Sequence, residues 1–437
     1  MLSGKVEAMR FSWGYGRGTQ EFEVPDHLLL GVVEGVAVEP LPDLARAIAD
    51  ALSAPIGSPP LSELVRPGDK VAIACPDYHR LWVRSRVWLP VLVGELNRAG
   101  IPDRDITVII ANGTHAAPGY EGVREIVGSR LPRGVRVVNH DARDPALLRY
   151  LGKTPKGTPL FVNRFALEAD HLILTGAVVP HAFAGYGGGR KAVLPGLSGM
   201  PTILANHRRA LSDIPGGGTH PMAQPGVIAG NPVHEDMLEA ARMVGPRFIV
   251  NFALSEEGDF LGVFAGDLVQ AHERGCEFVS GAFKVEIPSR GDIVVASRGG
   301  FPMDLTFYQA FQSNANARAA LREDGEGVLI MVGECSEGLG PYEFHHWFDL
   351  GGENAIEEEL RRNFTVAGFV VFRAALLHRQ AKKVMLVSRL DPEALRRIGI
   401  IPHQSIDQAL REAMGAVPGG KVLLMPHASQ TIPSPAC

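Results

Sequence analysis

Short runs of consecutive apolar residues recur along the chain and alternate with segments that have a helical hydrophobic period. Such runs predict strands buried on both faces, because a strand with one solvated face shows alternating polar positions. The predicted strands lie at 70–75, 105–111, 135–139, 171–175, 247–252, 292–296, 327–332, 383–387 and 421–425. Helical patterns lie between them at 88–98, 232–244, 316–322 and 406–414. The alternation predicts an α/β fold with mainly parallel sheets.

The pattern changes at two places. Residues 11–25 alternate around Tyr15-Gly-Arg-Gly18 and predict an antiparallel hairpin. Near 278–290 a helical pattern ends in Pro-Ser-Arg-Gly, and a new strand follows. We therefore predict two α/β domains, at 1–280 and 288–437, with the active site in the cleft between them. We expect the final segment of about 30 residues to pack on the second domain or to return to the first.

Composition excludes several classes of protein. The 437 residues are 46% hydrophobic and 21% charged, which is enough to build a large core without disulfide bonds. The net charge of −5 argues against a nucleic-acid partner, and the longest apolar runs are shorter than the ~18 residues of a membrane span. The first residues contain no apolar signal segment, and Cys75, Cys276, Cys335 and Cys437 form no C-x-x-C pair. We expect a cytoplasmic protein with reduced thiols and no membrane partner.

Histidines follow four of the predicted strands. Ligands in open α/β sheets bind beyond the carboxyl ends of the strands, so the residues there are candidates for chemistry. A histidine lies within a few residues of a strand end at His79, His115, His140 and His181. Three of them, His79, His115 and His140, could instead be structural hydrogen-bonding residues of their loops.

A glycine-rich segment follows the strand at 171–175. Gly187, Gly188 and Gly189 are followed directly by Arg190 and Lys191. Backbone N–H groups of such a loop can face an anion at the start of a helix. The segment has neither the Gly-Lys-Ser/Thr of a Walker A loop nor a G-x-G-x-x-G dinucleotide motif. It predicts a phosphate or carboxylate site, with a flexible turn as the alternative.

These loops together resemble a known family. The most specific motif is Pro180-His-Ala-Phe-Ala-Gly-Tyr-Gly-Gly-Gly-Arg-Lys-Ala-Val-Leu-Pro-Gly196. Supporting motifs occur in order at 77–80, 113–115, 139–141, 205–207, 231–236 and 299–310. Over nearly its whole length the chain resembles the nickel-pincer lactate racemases and the wider group of 2-hydroxyacid racemases and epimerases. The resemblance implies an isomerase that inverts C2 of a small 2-hydroxy acid by reversible hydride transfer.

The resemblance also implies a cofactor and residue roles. The cofactor is the nickel complex of pyridinium-3,5-bisthiocarboxylic acid mononucleotide, made by maturation enzymes and joined covalently to Lys191. His207 would be a nickel ligand, and His115 and His181 the catalytic acid–base pair. Residues implied to contact the cofactor are Asp77, Gly187, Gly188, Gly189 and Arg190. Residues implied to bind substrate are Arg80, Gln309 and Gln312.

One position departs from the family pattern. The lactate racemases have a substrate-binding lysine where this chain has Gln312, so a cation is replaced by a neutral amide. Lactate-like and malate-like acids therefore both stay open as substrates. Three cations are candidates for a second carboxylate, although each could be a surface residue: Arg84, Arg86 and Arg298. Two other functions stay open, a zinc-type hydrolase that uses the histidine-rich loops and a non-catalytic binder of the nucleotide or of a hydroxy acid.

Overall fold

The computed structural model describes residues 7–340 and 343–436. The chain forms two compact units. The central unit comprises Ala37–Ala210 and Gly226–Gly281, and the terminal unit comprises the chain up to Val36, the segment Leu211–Pro225 and the chain from Ala282 onward. Among the described residues, no helix is both long enough and apolar enough to cross a bilayer.

The elements alternate as the hydrophobic pattern predicts. The strands are β1 (Ala8–Tyr15), β2 (Gly18–Pro25), β3 (Leu29–Val32), β4 (Val71–Pro76), β5 (Ile106–Ala111), β6 (Arg136–Asn139), β7 (Leu148–Lys153), β8 (Pro159–Asn163), β9 (His171–Ala177), β10 (Pro180–His181), β11 (Gly185–Tyr186), β12 (Phe248–Leu254), β13 (Phe260–Gly266), β14 (Lys284–Ile287), β15 (Ile293–Ser297), β16 (Val328–Val332), β17 (Lys383–Val387), β18 (Ile401–His403), β19 (Val422–Met425) and β20 (Ile432–Pro435). The α-helices are α1 (Leu44–Ser53), α2 (Leu61–Leu64), α3 (Ser85–Arg98), α4 (Tyr120–Val127), α5 (Arg164–Leu167), α6 (Met200–His207), α7 (Pro232–Val244), α8 (Gln270–Phe283), α9 (Phe307–Ala310), α10 (Asn314–Ala320), α11 (Glu343–Asp349), α12 (Glu353–Arg362), α13 (Val366–Ala375), α14 (Pro392–Arg397) and α15 (Ile406–Ala416). Short 3₁₀ helices lie at Tyr78–Val83, Asp103–Asp105, Pro145–Leu147, Gly189–Ala192, Arg208–Ala210, Phe311–Ser313 and Leu376–Arg379.

The central unit is built on a six-stranded sheet with the order β13-β12-β9-β4-β5-β6. All neighbouring strands are parallel except β13, which runs antiparallel to β12. Every residue of β4 and β12 is buried. Trp88 of α3 packs on Phe252 of β12 with the ring centroids 5.0 Å apart, so a helix covers the sheet where the continuous apolar runs predict it.

The terminal unit contains a second six-stranded sheet with the order β18-β17-β16-β15-β19-β3, in which all pairs are parallel. The predicted hairpin is confirmed, since β1 and β2 pair in register from Ala8–Pro25 to Tyr15–Gly18. Its apolar side chains join the core under this sheet, and β20 pairs with β14 in the same unit.

The α/β class and all of the predicted strands are confirmed, with ends shifted by only a few residues. The division of the chain differs from the domain limits drawn from the sequence, because β3 adds to the edge of the second sheet beside β19. The segment up to Val36 therefore belongs with the C-terminal residues. Cys75, Cys276 and Cys335 are buried free thiols, as expected for reduced cysteines, and Cys437 lies outside the described residues.

A buried carboxylate joins three loops of the terminal unit. Asp304, which is 1% exposed, accepts hydrogen bonds at Oδ2 from the backbone N–H of Gly16 (2.8 Å) and of Glu334 (2.9 Å). The bond to Gly16 holds the hairpin turn, and the bond to Glu334 holds the loop after β16. Buried backbone N–H groups need partners, so this carboxylate is required by both loops.

We predict that Asp304→Ala lowers the free energy of unfolding by about 2–4 kcal/mol, because two buried backbone donors lose their acceptor. Urea denaturation followed by intrinsic fluorescence measures the change. Asp304→Asn is the matched control, since it keeps a carbonyl oxygen at this place and should lose less. An unchanged midpoint for Asp304→Ala would contradict this role.

Candidate active site

Three neighbouring strands bring candidate side chains to one edge of the central sheet. In the order β9-β4-β5 the strands are adjacent and parallel, so their carboxyl ends lie side by side. Asp77 follows β4, His115 follows β5, and His181 follows β9. The predicted grouping of loops beyond these strand ends is therefore present in the central unit.

Asp77 is the centre of the polar contacts at this edge. The side chain is 1% exposed. Its Oδ1 lies 2.7 Å from Nη1 of Arg80, and its Oδ2 lies 2.5 Å from Nδ1 of His115 and 3.3 Å from Nδ1 of His79. Burial acts to raise the pKa of Asp77, but the charge of Arg80 and the bonds from His115 and His79 hold that pKa well below its usual range. Asp77 is therefore an ionised carboxylate that orients three side chains.

Three possible metal ligands converge at the same place. Asp77, His79 and His115 each offer one ligand atom, and these three atoms lie within 4.8 Å of one another. The imidazole rings of His79 and His115 have centroids 4.1 Å apart. Burial lowers the pKa of His115, and the carboxylate of Asp77 opposes that shift. In this arrangement Asp77 already binds Arg80 through its other oxygen, so a metal would share it with a cation.

His181 lies in a short hairpin formed by β10 and β11. Its Nδ1 accepts hydrogen bonds from the backbone N–H of Ala184 (3.2 Å) and of Phe183 (3.4 Å). Burial holds the pKa of His181 well below its usual range, and positive charge on Lys191, His207, Arg80 and Arg190 adds to the effect. His181 is thus a neutral imidazole, and the positive charges of Arg80 and Arg190 oppose its protonation.

Lys191 lies in the 3₁₀ helix Gly189–Ala192. Within the described part of the chain, no hydrogen bond or ion pair to its amine is found. Burial holds the pKa of Lys191 well below its usual range, and the charges of Arg190 and Arg80 lower it further. A lysine in such surroundings is a neutral amine, which is the nucleophilic form.

The glycine-rich loop is packed against protein atoms. A Cβ on Gly188 would lie 2.5 Å from Oδ1 of Asn251, and one on Gly189 would lie 2.8 Å from the ring of His272. Both residues have positive φ, at 73° and 50°, which only glycine adopts without strain. Gly187 is similarly enclosed, since its Cβ would lie 2.9 Å from the carbonyl oxygen of Ala177. The packing of the loop accounts for all three glycines, and their contact with a cofactor stays a prediction.

The buried guanidinium of Arg190 stabilises the glycine-rich loop by hydrogen bonds to backbone carbonyl oxygens. Its guanidinium donates to the carbonyl oxygens of Ala184 (2.7 Å) and Tyr186 (2.8 Å) and contacts Nε2 of His272 at 2.8 Å. Burial lowers the pKa of Arg190 to about 10. The side chain is 1% exposed, so the structure places it within the loop and gives it a structural role, while the predicted cofactor contact is untested.

His207 ends α6 and is oriented by its neighbour Asn206. Nδ1 of His207 lies 3.1 Å from Oδ1 of Asn206. The amide nitrogen of Asn206 donates to the carbonyl oxygen of Val233 (3.1 Å) and to Oδ2 of Asp236 (2.9 Å), which fixes the amide orientation. Because Oδ1 can only accept, Nδ1 of His207 carries the hydrogen and Nε2 carries the lone pair. Burial lowers the pKa of His207 to about 3, with the charge of Lys191 contributing.

Asp236 is a residue that the sequence interpretation left without a role. It is fully buried and also accepts from Oγ1 of Thr154 (2.6 Å) and of Thr158 (2.8 Å). Its sequence signals are its place at the end of the 231–236 motif and its position as a charged residue on the buried face of α7. His140 has structural contacts, with Nε2 3.0 Å from the carbonyl oxygen of Ser198 and Nδ1 3.0 Å from the amide of Asn163.

The remaining substrate candidates lie in the terminal unit. The side chain of Gln309 contacts its own loop, through Thr306 at 3.3 Å and the carbonyl oxygen of Pro302 at 3.4 Å. Gln312 is half-buried in the 3₁₀ helix Phe311–Ser313. Arg298 donates to the carbonyl oxygens of Gln309 (2.6 Å) and Met303 (3.2 Å), so this cation supports the loop that carries Gln309.

Two domain families and two curated proteins match most of the chain. The lactate racemase N-terminal domain matches residues 15–216, and the lactate racemase C-terminal domain matches residues 287–427. The chain is 30% identical over 410 residues to the lactate racemase of Thermoanaerobacterium thermosaccharolyticum, covering 92% of this chain and 94% of that protein. It is 32% identical over 378 residues to the lactate racemase of Lactiplantibacillus plantarum, covering 84% and 85% of the two chains.

Solved structures show the same fold. The lactate racemase apoprotein of T. thermosaccharolyticum matches with a TM-score of 0.87 and 29% identity, over 98% of this chain and 100% of that chain. A protein of Thermotoga maritima shares the fold at a TM-score of 0.71 and 18% identity, over 92% and 100% of the two chains. With both domain models matched and relatives at 30–32% identity over most of its length, the chain belongs to the lactate racemase family.

Proposed function

We propose that the protein is a racemase or epimerase that inverts C2 of a small 2-hydroxy acid with a nickel-pincer pyridinium nucleotide attached to Lys191. Membership of the lactate racemase family supports racemase activity. The observation that carries the proposal is the buried amine of Lys191, for which no hydrogen bond or ion pair is found among the described residues and whose pKa is held well below its usual range by burial and by the charges of Arg190 and Arg80. The positive charge of Arg80 near this amine suits a ligand that carries phosphate or carboxylate groups.

The residues present fit the proposed cofactor. A neutral Lys191 amine could be joined to a thiocarboxylic acid group of the cofactor as a thioamide, with loss of water, and the product would carry no positive charge to bury. His207 has its metal-binding tautomer fixed by Asn206, and imidazole beside sulfur donors suits nickel(II). When bound, the group supplies an electrophilic pyridinium carbon that can accept a hydride, which is easier chemistry than removing a poorly acidic α-proton. Enzymes that build and load the nucleotide are the partners that this proposal requires.

The protein side chains would bind and deprotonate the substrate. Arg80, with one edge held by Asp77, offers a positive charge to the substrate carboxylate. His115 and His181 would exchange a proton with the 2-hydroxyl oxygen, and imidazole suits this because its pKa lies near neutral pH. For Gln309 and Gln312, which lie in the terminal unit, a neutral hydrogen bond to a hydroxy acid is a proposal that rests on the family resemblance alone.

Two of the three other candidate cations, Arg84 and Arg298, have contacts that favour a lactate-like substrate over a malate-like one, and the third, Arg86, is an exposed residue in the first turn of α3. Arg84 donates to the carbonyl oxygen of Gly258 at 2.7 Å and lies 3.7 Å from Asp259. Arg298 supports its own loop through two carbonyl oxygens. Both guanidinium groups already bind protein carbonyl oxygens, which argues against a role for either in binding a second carboxylate of the substrate. Gln312 carries no charge that could replace them.

A zinc-type hydrolase is the second candidate, favoured by the cluster of Asp77, His79 and His115. It gives no role to the neutral Lys191 amine or to the fixed tautomer of His207. Metal analysis distinguishes the hydrolase from the racemase, since zinc on a protein with unmodified Lys191 supports the hydrolase.

A non-catalytic binder of the nucleotide or of a hydroxy acid is the remaining alternative. Incubation with a panel of single-enantiomer hydroxy acids distinguishes it from an enzyme, because binding without loss of optical activity supports a non-catalytic role.

We predict that His115→Ala and His181→Ala each lower the racemisation rate of a cofactor-loaded enzyme by ~10²–10⁴-fold, because each removes a proton-exchanging group. Polarimetry or chiral chromatography of a lactate solution measures the rate. His171→Ala is the matched control, since His171 also pairs with a carboxylate, Asp69 at 2.8 Å, at the start of β9 instead of beyond its carboxyl end. Near-normal rates in both active-site variants with full cofactor would exclude the acid–base assignment.

We predict that Asn206→Leu weakens nickel retention about 10–100-fold, because His207 loses its side-chain acceptor at Nδ1 and keeps only the backbone hydrogen bond to Ile203. The measurement is nickel content of the loaded protein after a timed chelator challenge, by elemental analysis. Thr154→Val is the control, since it removes a different hydrogen bond to Asp236 and leaves Asn206 in place. Equal nickel loss from both variants would mean that general loosening of the network, and not the Asn206 contact, holds the metal.

A further inference from the structure

His79 is a strand-end histidine to which the proposed function gives no role. It lies in the 3₁₀ helix Tyr78–Val83 that follows β4, and 43% of its side chain is exposed. Its Nδ1 lies 3.3 Å from Oδ2 of Asp77, and the same oxygen atom lies 2.5 Å from Nδ1 of His115. Two imidazole nitrogens thus face a single carboxylate oxygen.

The three side chains have the composition of a zinc site. Histidine nitrogens and carboxylate oxygens bind zinc at about 2.0–2.2 Å, so the ligand atoms of a tetrahedral zinc ion lie ~3.3 Å from one another. The contact between Asp77 and His79 already has this length, at 3.3 Å. The contact between Asp77 and His115 is shorter, at 2.5 Å, so the ring of His115 has only to withdraw slightly.

The cluster also has a way in for an ion. A metal site needs deprotonated ligands and an entry path from solvent. Asp77 is an ionised carboxylate that is almost fully buried, whereas the ring of His79 is exposed beside it. An ion can therefore bind first to His79 and then reach the two inner ligands.

We propose that Asp77, His79 and His115 form a reversible inhibitory site for a zinc ion, separate from the proposed nickel ligand His207. The site itself rests on the geometry of the three side chains. The inhibition rests on the proposed function, in which His115 exchanges a proton with the 2-hydroxyl oxygen of the substrate.

Zinc inhibits by occupying His115. The ion accepts lone pairs from Nδ1 of both rings and from Oδ2 of Asp77, and no atom is oxidised or reduced. With zinc on Nδ1, the hydrogen of the neutral His115 ring lies on Nε2, and no lone pair is left for a substrate proton. Racemisation requires proton exchange at both His115 and His181, so it stops while the ion is bound and resumes when the ion leaves.

Two features make this binding reversible. Three protein ligands leave the fourth zinc position to water, unlike the four protein ligands of a structural zinc site. The other carboxylate oxygen of Asp77 lies 2.7 Å from Nη1 of Arg80, whose positive charge opposes the ion. We therefore expect a chelator to remove the zinc.

The direction of the zinc effect separates this role from a zinc-type hydrolase, which would use the same three side chains. A hydrolase needs its zinc for activity, whereas the inhibitory site predicts that zinc removes activity. Hydrolysis that depends on zinc at this cluster would overturn the inhibitory role.

The site is tested first in the full-length protein without cofactor. Equilibrium dialysis against zinc chloride, after removal of metals with a chelator, counts the ions bound per chain. We expect His79→Gln to bind one zinc ion fewer at the concentration that saturates the unmodified protein. The affinity of that ion should fall at least ~10-fold, because even an outer-shell partner of a metal ligand is worth about 10–100-fold.

Two further variants make this comparison specific. His79→Cys should keep the zinc ion, since a thiolate is also a zinc ligand. His171→Gln is the matched control and should keep it too, because His171 pairs with Asp69, at 2.8 Å, outside the cluster. Equal zinc binding by His79→Gln and by the unmodified protein would overturn the site.

The inhibitory role is tested in cofactor-loaded enzyme, with each variant compared with its own rate in the absence of zinc. We expect zinc to stop racemisation, a chelator to restore it, and His79→Gln to need at least ~10-fold more zinc for half-inhibition. Nickel content measured in parallel shows that zinc has not replaced nickel. An undiminished rate with the cluster saturated would overturn the inhibitory role.

The two measurements keep this proposal distinguishable from the proposed function. If the loaded protein racemises no hydroxy acid, the proposed function fails and the inhibitory role fails with it. The zinc site is still decided by dialysis, because neither cofactor nor turnover enters that measurement.

Discussion

The ionised carboxylate of Asp77 fixes the geometry of the site in the central unit. A buried carboxylate is stable only when nearby charges and hydrogen bonds replace water, and Arg80, His79 and His115 do so here. Each of these side chains is in turn oriented by the carboxylate. The parallel register of β9, β4 and β5 brings these loops together, and the charge of Asp77 determines which atoms face one another.

A second buried carboxylate, that of Asp236, orients the proposed nickel ligand His207 through Asn206. Asp236 accepts hydrogen bonds from two threonine hydroxyls and from the amide nitrogen of Asn206. This fixes the orientation of the amide, and its oxygen in turn favours the lone pair on Nε2 of His207. The two carboxylates thus act on different histidines of one site. Lys191, the proposed cofactor attachment residue, has a strongly depressed pKa because its amine is buried and the charges of Arg190 and Arg80 act on it.

Much of the fold follows from the sequence because buried parallel strands appear as continuous apolar runs. The predicted strands and the hairpin at the start of the chain are found, whereas the short edge strand β3 is not predictable from a four-residue segment that is only partly buried. Its pairing with β19, almost 400 residues away in the chain, places the N-terminal segment in the terminal unit. Such long-range pairing leaves no local periodicity to detect.

The candidate site was predictable in its residue types but not in its contacts. Strand ends pointed to His115 and His181, and the family motif pointed to Lys191 and His207. The internal role of Arg190 was not predictable, because a Gly-Gly-Gly-Arg-Lys segment equally suits an anion site, and only the folded loop shows its carbonyl partners. The supporting role of Asp236 required the packing of α7 against α6.

The most direct test of the central claim is the mass of the peptide that contains Lys191, from protein produced in a host that has the maturation enzymes. We expect a sulfur-containing nucleotide adduct on Lys191 and nickel in the intact protein. Lys191→Arg, which keeps a basic side chain but has no amine for the bond, should carry neither. An unmodified Lys191 in protein from that host would contradict the proposed cofactor, and the histidines would then have to be reconsidered as an ordinary metal or anion site.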